Sequence, residues 1–376
     1  MPALLPDVDP DGLLEYSVVY TDRALNHMSR SFQQTMTELS RTLKNVYHAH
    51  AVAVVPGSGT FGMEAVARQL ATGKKCLVVR NGWFSYRWSQ IFEMGGIPAE
   101  TLVLKARRTG NEPRSPWAPV PIEELTATVG REQPHLVFAP HVETSSGMML
   151  PDDYICTAAA AVHEHGGLFV LDCIASGTVW IDMEALGVDV LISAPQKGWS
   201  GSPCCGLVML SERATKATQE STSTSFAMDL RKWLDIMAAY EAGGHAYHAT
   251  MPTDGLRVLS DVMAETEAMG FDAVKTAQLE LGRRVRALLA ERGIASVAAP
   301  GFEAPGVVVA YTDDDDVKSG RSFSEAGVQI AAGVPLQCDE PADFKTFRIG
   351  LFGLDKLADV DQAVDRFQQT LDRVGL

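Results

Sequence analysis

A lysine and an aspartate follow two apolar runs of this sequence, at places where a charged side chain is costly to bury. Lys197 comes shortly after the run 188–192, and Asp172 ends the run 167–171. A buried carboxylate or ammonium group needs an opposite charge or strong hydrogen bonds around it. Two interpretations follow: the pair forms a structural ion pair, or both residues serve a bound group.

A glycine pattern of the type G-x-G-x-x-G occupies residues 57–62, directly after the apolar run 51–55. Such a turn opens a helix whose free amides bind phosphate. The same pattern marks dinucleotide-binding folds, which also carry an acidic residue at the end of the next strand. Here the next run ends in Arg80, which suits only the 2′-phosphate of NADP. A phosphate site, an NADP site and a tight turn without a ligand all stay open.

Between residues 50 and 212, apolar runs alternate with helical patterns, of which 61–71 and 154–165 are the clearest. This rhythm predicts a parallel sheet covered on both faces. Ligands of such sheets bind beyond the carboxyl ends of the strands, and polar residues follow five of these runs in succession. The predicted strands are 51–55, 76–79, 135–139, 167–172, 188–193 and 205–210.

A phosphate-binding turn, a buried aspartate and a lysine at one sheet edge match the requirements of pyridoxal 5′-phosphate (PLP). The turn would hold the phosphate, Lys197 would form a Schiff base with the aldehyde, and Asp172 would pair with the pyridinium nitrogen. An NADP enzyme has no such use for the lysine and the aspartate together.

The pattern changes near residue 250 and predicts a second, smaller α+β domain. Its expected elements are a helix at 274–292, strands at 307–311 and 347–350, and a terminal helix at about 358–374. We therefore expect an N-terminal segment at 1–20, a large domain at 21–252 and a small domain at 253–376, a division that fits the chain length of 376 residues.

Composition excludes several classes of function. The net charge of −15 argues against nucleic acid or an anionic membrane as a main partner. No apolar stretch has the length of a transmembrane helix. The six cysteines show neither a CxxC pair nor a metal-finger spacing, so we expect reduced thiols, a cytoplasmic location and no metal site.

The chain resembles the class V aminotransferases of the fold-type I PLP enzymes, closest to the alanine–glyoxylate and serine–glyoxylate type. The resemblance implies an α/β fold, with a mostly parallel seven-stranded sheet between helices in the large domain. The motifs that carry it, in family order, are GSGTFGMEA (57–65), NGWFSYRW (81–88), HVETSSGM (141–148), LDCIASG (171–177), SAPQKGW (193–199), YHAT (247–250) and FRIGLFG (347–353).

The resemblance also implies roles for single residues. Lys197 would hold the cofactor and then move the α-proton of the substrate, and Asp172 would keep the ring nitrogen protonated. Phe84 would stack on the ring, although Trp83 is adjacent, and Thr144 would hydrogen-bond the phenolic oxygen. The residues implied for the phosphate are Ser58, Gly59, Thr60 and Gln196.

Three further residues are implied at the borders of the site. Tyr247 and Thr250 would reach the phosphate of a neighbouring subunit, which implies a homodimer with shared active sites. Arg348 would grip the carboxylate of the substrate. The family usually opens with a proline-glycine-proline segment that lines the substrate pocket, and this chain has Glu15, Tyr16 and Ser17 there, which leaves the substrate open.

The sequence therefore predicts an aminotransferase that moves an amino group from a small amino acid to a 2-oxo acid such as glyoxylate or pyruvate. A first alternative is a PLP lyase of the cysteine desulfurase kind, which needs a mobile nucleophilic cysteine such as Cys338. A second is an NADP-dependent oxidoreductase, which rests only on the glycine pattern.

Overall fold

The structure is a computed structural model, and it describes residues 13–376. Its strands are β1 (Ala51–Pro56), β2 (Lys75–Arg80), β3 (Glu100–Lys105), β4 (Arg107–Arg108), β5 (Trp117–Ala118), β6 (Leu136–Pro140), β7 (Val142–Glu143), β8 (Met148–Met149), β9 (Leu168–Asp172), β10 (Val190–Ser193), β11 (Cys205–Leu210), β12 (Val307–Tyr311), β13 (Ala331–Ala332) and β14 (Thr346–Gly350).

The α-helices are α1 (Arg30–Tyr47), α2 (Gly59–Val66), α3 (Trp83–Gly95), α4 (Ile122–Glu132), α5 (Asp152–His163), α6 (Met183–Leu186), α7 (Glu212–Glu220), α8 (Leu230–Glu241), α9 (Thr253–Met269), α10 (Phe271–Glu291), α11 (Asp315–Ser319), α12 (Arg321–Glu325), α13 (Leu354–Leu357) and α14 (Val360–Val374). A π-helical turn at Ala67–Ala71 extends α2. Each helix of the described residues is too short or too polar to cross a bilayer.

The central sheet has seven strands in the order β1-β11-β10-β9-β6-β2-β3. The strands are parallel except β11, which is antiparallel to both of its neighbours. The connection from β10 to β11 contains no helix and spans only residues 194–204. Because a parallel crossover needs about a dozen residues or more, usually with a helix, this short connection returns the chain antiparallel. The mostly parallel seven-stranded sheet that the resemblance implied is confirmed.

All six strands predicted from apolar runs are present, and the seventh, β3, was missed. β3 lies at the edge of the sheet, where it pairs with β2 alone. Its residues are half-buried or exposed, whereas every residue of β6, β9, β10 and β11 is buried. An edge strand needs no continuous apolar run, so the pattern used for the buried strands did not reveal it.

Helices cover the sheet: α8 packs on β1, α2 on β11, α3 on β2 and α5 on β9. The predicted helical segments 61–71 and 154–165 correspond to α2 with its π turn and to α5. These packed helices place the N-terminal turns of α2 and α3 beside the carboxyl ends of the strands.

The C-terminal part contains the three-stranded antiparallel sheet β12-β14-β13. Helices α10 and α14 pack together and share a second apolar core with this sheet. The elements predicted at 274–292, 307–311, 347–350 and 358–374 are thus confirmed as α10, β12, β14 and α14. The division at residue 252 stays a prediction, because α9 buries Leu256, Leu259 and Met263 in the core of the central sheet.

Candidate active site

A cavity of about 190 Å³ lies beyond the carboxyl ends of the central strands. It brings together side chains from five successive sheet edges, which is where the sequence predicted a ligand. The predicted residues that line it are Ser58, Gly59, Thr60, Phe84, Thr144, Asp172, Gln196 and Lys197.

The first turn of α2 forms one end of this cavity. Ser58 is the N-cap residue, and its side chain makes no capping hydrogen bond, so the first amides of the helix stay available to an anion. Gly57 has φ +121°, a backbone conformation that favours glycine. A Cβ on Gly59 would lie 2.6 Å from Ile174 Cδ1. The two glycines therefore allow a turn that is tight, closely packed and open toward a phosphate-sized ligand.

Lys197 lies half-buried in the turn that follows β10. Burial lowers the pKa of its amine, and the negative charges of Asp172 and Glu143 oppose this shift. No hydrogen bond or ion pair within residues 13–376 involves the amine; its Nζ lies 5.7 Å from the centroid of the Phe84 ring and 6.0 Å from that of Phe352. The structural ion pair with Asp172 is therefore not formed. A lowered pKa favours the neutral amine, which is the nucleophilic form.

Asp172 is the last residue of β9, and only 7% of its surface is exposed. Its Oδ1 accepts a hydrogen bond of 2.9 Å from the Ile174 amide. Burial raises the pKa of the carboxyl group to about 6, although this amide and the charges of Lys197 and Arg87 act in the opposite direction. A buried carboxylate in this state gains free energy when an N–H cation binds beside it.

Thr144 provides a test of which group fits the cavity. Its hydroxyl is buried at the cavity wall, and no residue of the described chain hydrogen-bonds to it. A buried hydroxyl without a partner is costly, so a ligand oxygen at this wall would satisfy it. PLP carries a phosphate, an aldehyde, a phenolic oxygen and a ring nitrogen. The free amides of α2, the lysine, this hydroxyl and Asp172 match these four groups, so the residues present fit PLP.

Phe84 belongs to the first turn of α3 and lines the cavity, whereas Trp83 packs on Tyr86 with 5.9 Å between the ring centroids. The structure thus separates two residues that sequence alone could confuse. Three cations surround the Phe84 ring: Lys197 Nζ at 5.7 Å, Arg87 Cζ at 5.3 Å and Arg348 Cζ at 5.6 Å from its centroid. The surroundings of the ring therefore favour anionic ligand groups.

Arg348 reaches the site from the other sheet. It lies in β14, and its Nε donates a hydrogen bond of 2.7 Å to the Ala332 carbonyl oxygen. This bond holds the guanidinium group near the face of Phe84, and burial lowers its pKa. Arg348 does not line the cavity itself but stands beside it, near the Phe84 ring.

Tyr247 and Thr250 lie outside the cavity. Their hydroxyl groups are 3.1 Å apart, and 51% of the Tyr247 side chain is exposed. The N-terminal segment docks near them: the Tyr20 hydroxyl donates to the Met251 carbonyl at 3.2 Å. Within that segment, Glu15 accepts a hydrogen bond of 2.7 Å from Asn26. The tyrosine and threonine thus do not contribute to the cavity of their own chain.

The other unusual residues of the N-terminal segment also lie away from the cavity. Ser17 accepts a hydrogen bond of 3.1 Å from Asn26, and Tyr16 is exposed. Neither residue lines the cavity around Lys197. The part of residues 1–20 before residue 13 lies outside the described residues.

The buried Glu143 was missed by the reasoning from sequence, although it lies in a quoted motif. Its carboxylate accepts hydrogen bonds from the Phe84 and Ser85 amides at 3.2 and 2.8 Å, and from the Ser145 amide and hydroxyl at 3.0 and 2.7 Å. Glu143, which belongs to β7, thereby caps the N-terminus of α3, because the N-cap residue Gly82 has no side chain that could do so. The absence of a local cap at Gly82 was the signal that could have revealed it. By holding this turn, Glu143 positions Phe84.

This geometry does not support the two alternative functions, a cysteine desulfurase-like lyase that uses Cys338 and an NADP-dependent oxidoreductase that uses Arg80. Cys338 is buried, its Sγ donates to the Arg80 carbonyl oxygen at 3.3 Å, and burial raises its pKa to about 12; it is not a mobile nucleophile. The Arg80 side chain donates to the Gln337 carbonyl and the Ser89 hydroxyl at 3.2 and 2.8 Å. It is therefore engaged within the protein and not free to bind a 2′-phosphate.

Comparison with known proteins gives consistent results. Residues 12–361 match the family model described as aminotransferase class-V. The chain is 28% identical to 2-aminoethylphosphonate–pyruvate transaminase 2 of Paraburkholderia xenovorans, covering 89% of this chain and 86% of that protein. It is 24% identical to the alanine–glyoxylate aminotransferase of Rattus norvegicus, covering 93% and 82%.

A solved structure is similar over nearly the whole chain. The alanine–glyoxylate aminotransferase of Nostoc sp. superposes with a TM-score of 0.77 at 20% identity, covering 93% of this chain and 89% of that one. At this identity the similarity shows the fold, and it confirms the expected fold-type I architecture.

Proposed function

The chain belongs to the class-V aminotransferase family, a family of PLP-dependent transaminases, and from that premise we propose that it moves the amino group of a small, alanine- or serine-like amino acid to a 2-oxo acid such as glyoxylate or pyruvate. The observation that carries the proposal is that Lys197 and Arg348 both approach the ring of Phe84, with distances of 5.7 and 5.6 Å to the ring centroid. A proton-transferring amine and a carboxylate-binding guanidinium thus stand within reach of one small substrate. The names of the relatives support glyoxylate and pyruvate as acceptors.

In this proposal each residue has one task. When bound, PLP supplies an aldehyde that takes up the amino group and a ring that stores the electron pair of the broken C–H bond. Lys197 Nζ moves the α-proton of the substrate, because its lowered pKa favours the neutral amine, the form that accepts a proton. Asp172 would hold the proton on the ring nitrogen through its carboxylate. Thr144 Oγ1 donates to the phenolic oxygen.

The remaining residues orient the cofactor and the substrate. We assign the phosphate to the first turn of α2, with Ser58, Gly59 and Thr60, and to Gln196 at the cavity wall. Phe84 supports the ring from a turn that Glu143 holds in place. Arg348 binds the substrate carboxylate through two parallel N–H donors, a geometry that a lysine does not offer.

The first test is a panel of amino donors and 2-oxo acid acceptors with wild type, Arg348→Lys and Arg348→Ala. We expect transfer from a small amino acid to glyoxylate or pyruvate. Losing a charged hydrogen-bonding partner of the carboxylate should raise KM by about 10- to 100-fold in Arg348→Ala, and by less in Arg348→Lys. Steady-state KM for donor and acceptor is the measurement. The exposed Arg283 on α10 gives the control Arg283→Ala, with an unchanged KM.

An unchanged KM in Arg348→Ala would remove this arginine from the substrate site. Absence of transfer with every donor–acceptor pair, while PLP stays bound, would overturn the proposed substrates.

We also infer a homodimer in which Tyr247 and Thr250 reach the phosphate of the partner subunit. The paired hydroxyls lie outside the cavity of their own chain and are accessible. Apolar side chains are exposed in the same region: Phe226, which is 77% exposed, packs on His248 with 4.5 Å between the ring centroids. Exposed apolar groups of this kind are typical of interaction surfaces.

Mixing two defective variants tests the shared site. One chain carries Lys197→Ala and the other carries Tyr247→Ala with Thr250→Ala. If each site combines residues of two subunits, random reassembly should restore about a quarter of wild-type activity, because half of the dimers are mixed and each contains one intact site. Activity of the mixture after mild dissociation and reassembly, relative to each variant alone, is measured. A mixture that is no more active than the average of its components contradicts the shared site.

A cytoplasmic location is part of the proposal. Its support is that all six cysteines are free thiols, Cys156 being exposed and four of the others buried. Free thiols are typical of proteins in a reducing compartment.

A further inference from the structure

Arg87 lines the same cavity as the predicted cofactor-binding residues, but no role has been assigned to it so far. It lies in α3 one turn after Phe84, and its Cζ is 5.3 Å from the centroid of that ring. Its Nη1 donates a hydrogen bond of 3.1 Å to Thr60 Oγ1. The guanidinium group thus connects the ring-stacking residue with the first turn of α2.

The charge of Arg87 is not paired with a carboxylate of the described residues. Within residues 13–376, no Asp or Glu oxygen forms an ion pair with it, whereas ion pairs are formed by arginines such as Arg41, Arg107 and Arg283. A guanidinium has five N–H donors in a rigid fork, and Thr60 uses one of them. A half-buried cation with free donors directed at a cavity is costly unless an anion binds there.

The charges around Phe84 also indicate that an anion binds in this cavity. Lys197, Arg87 and Arg348 supply three positive charges, and Asp172 and Glu143 supply two negative ones. The positive charge of Arg87 lowers the pKa of both Lys197 and Asp172, so Arg87 acts on the groups of the reaction. Arg348 stands on the substrate side, next to β13, whereas Arg87 stands beside Thr60 at the helix N-terminus.

We propose that Arg87 is a phosphate-binding residue: its guanidinium group binds the phosphate of the cofactor together with the hydroxyl group and amides at the start of α2. This inference rests on the proposed function, because it takes the turn at 58–60 to be the phosphate cradle. A planar fork that already contacts Thr60 can bind a second oxygen acceptor in parallel, which is the geometry that favours arginine at phosphate sites.

The test separates the phosphate from the rest of the cofactor. Apoenzyme is titrated with PLP and with pyridoxal, which lacks the phosphate, and Kd is obtained from visible absorbance and quenching of tryptophan fluorescence. For Arg87→Ala we expect the Kd for PLP to rise by about 10- to 100-fold and the Kd for pyridoxal to change by less than about 2-fold. Arg87→Lys should lie between, because it keeps the charge without the fork.

A second measurement uses inorganic phosphate as a competitor of PLP in the same titration. The apparent Kd of phosphate for the apoenzyme should rise in Arg87→Ala by a factor similar to that for PLP. The exposed Arg131, which pairs with the neighbouring Glu132 at 2.9 Å, supplies the control Arg131→Ala, for which both constants should stay at the wild-type values. Circular dichroism and gel filtration check that each variant is folded.

Two results would overturn the inference. If Arg87→Ala weakens PLP and pyridoxal by the same factor, Arg87 acts on the ring or on the fold and not on the phosphate. If neither Kd changes, Arg87 has no part in binding. Failure of the proposed function would look different, because wild type would then transfer no amino group with any donor–acceptor pair while it still bound PLP more tightly than pyridoxal.

Discussion

Replacing Lys197 by alanine is expected to lower the transamination rate by about 10⁴-fold and to change the visible absorbance spectrum of the protein with bound PLP. The amine that moves the α-proton is lost, and the contribution of such a group reaches about 10⁴-fold. Since Lys197 makes no hydrogen bond or ion pair within the described residues, its removal should leave the fold and thermal stability almost unchanged. Rates with the best donor–acceptor pair and the absorbance spectrum are the measurements.

Two controls sharpen this prediction. Lys216 is an exposed lysine on α7, and Lys216→Ala should match wild type in rate and spectrum. An added primary amine such as methylamine should restore part of the rate in Lys197→Ala, because it replaces the missing base. Retention of substantial activity in Lys197→Ala, or a wild-type spectrum, would show that another group performs the proton transfer.

Replacing Asp172 by asparagine is expected to weaken catalysis and to stabilise the apoenzyme. Asparagine keeps an acceptor for the Ile174 amide but carries no charge to hold a proton on the ring nitrogen, so the rate should fall by about 10²- to 10⁴-fold. The opposite effect on stability arises because, within the described residues, the buried carboxylate forms no ion pair that would offset the cost of its burial. The carboxylate of Asp172 thus promotes catalysis but lowers the stability of the apoenzyme.

The pKa of Asp172 determines the direction of the stability effect and the pH range in which it occurs. Burial raises the pKa of Asp172 from 3.8 to about 6, so the folded protein binds more protons than the unfolded chain between about pH 4 and pH 6. The wild-type apoenzyme therefore loses stability as pH rises through this window. The full loss is up to about 3 kcal/mol at pH 8. Asp172→Asn does not titrate there, so it should be more stable than wild type at pH 8 and equal to it near pH 4.

Thermal and urea unfolding of the two apoenzymes at pH 4, 6 and 8 measures this difference. The exposed Asp261 on α9 provides the control Asp261→Asn, whose stability should follow wild type at every pH. A pH-independent difference between Asp172→Asn and wild type would show that the carboxylate is not destabilised by burial. Unchanged turnover in Asp172→Asn would remove it from the reaction.

The central sheet could be predicted because buried strands have a local signature. Runs such as 51–55 and 205–210 are apolar at every position, and each became a buried strand. β3 could not be predicted in this way, since its edge position leaves its residues half-exposed. The antiparallel direction of β11 depends on the short connection after β10, which the strand pattern does not contain.

The cavity residues could be predicted for a related reason. Parallel strands end at the same edge, so Asp172, Lys197 and the turn at 57–60 had to meet there once their strands were known. The motif that contained Phe84 also contained Arg87, but nothing local showed that this arginine would contact Thr60. The role of Glu143 could not be predicted either, because the amides that donate hydrogen bonds to it belong to α3, which is distant in the chain.

By itself, then, the sequence determined where the apolar runs that form the buried strands lie, which polar residues follow them, and through these the chemistry of a lysine, an aspartate and a phosphate-binding turn. These features are local in the chain, and a parallel sheet brings them together because its strands end at the same edge. Only the tertiary structure decided that Arg348 of β14 stands over Phe84, that Cys338 is buried and that Tyr247 lies outside its own cavity. Each of these depends on packing between elements distant in the chain, and such packing leaves no periodic signal in the residues that make it.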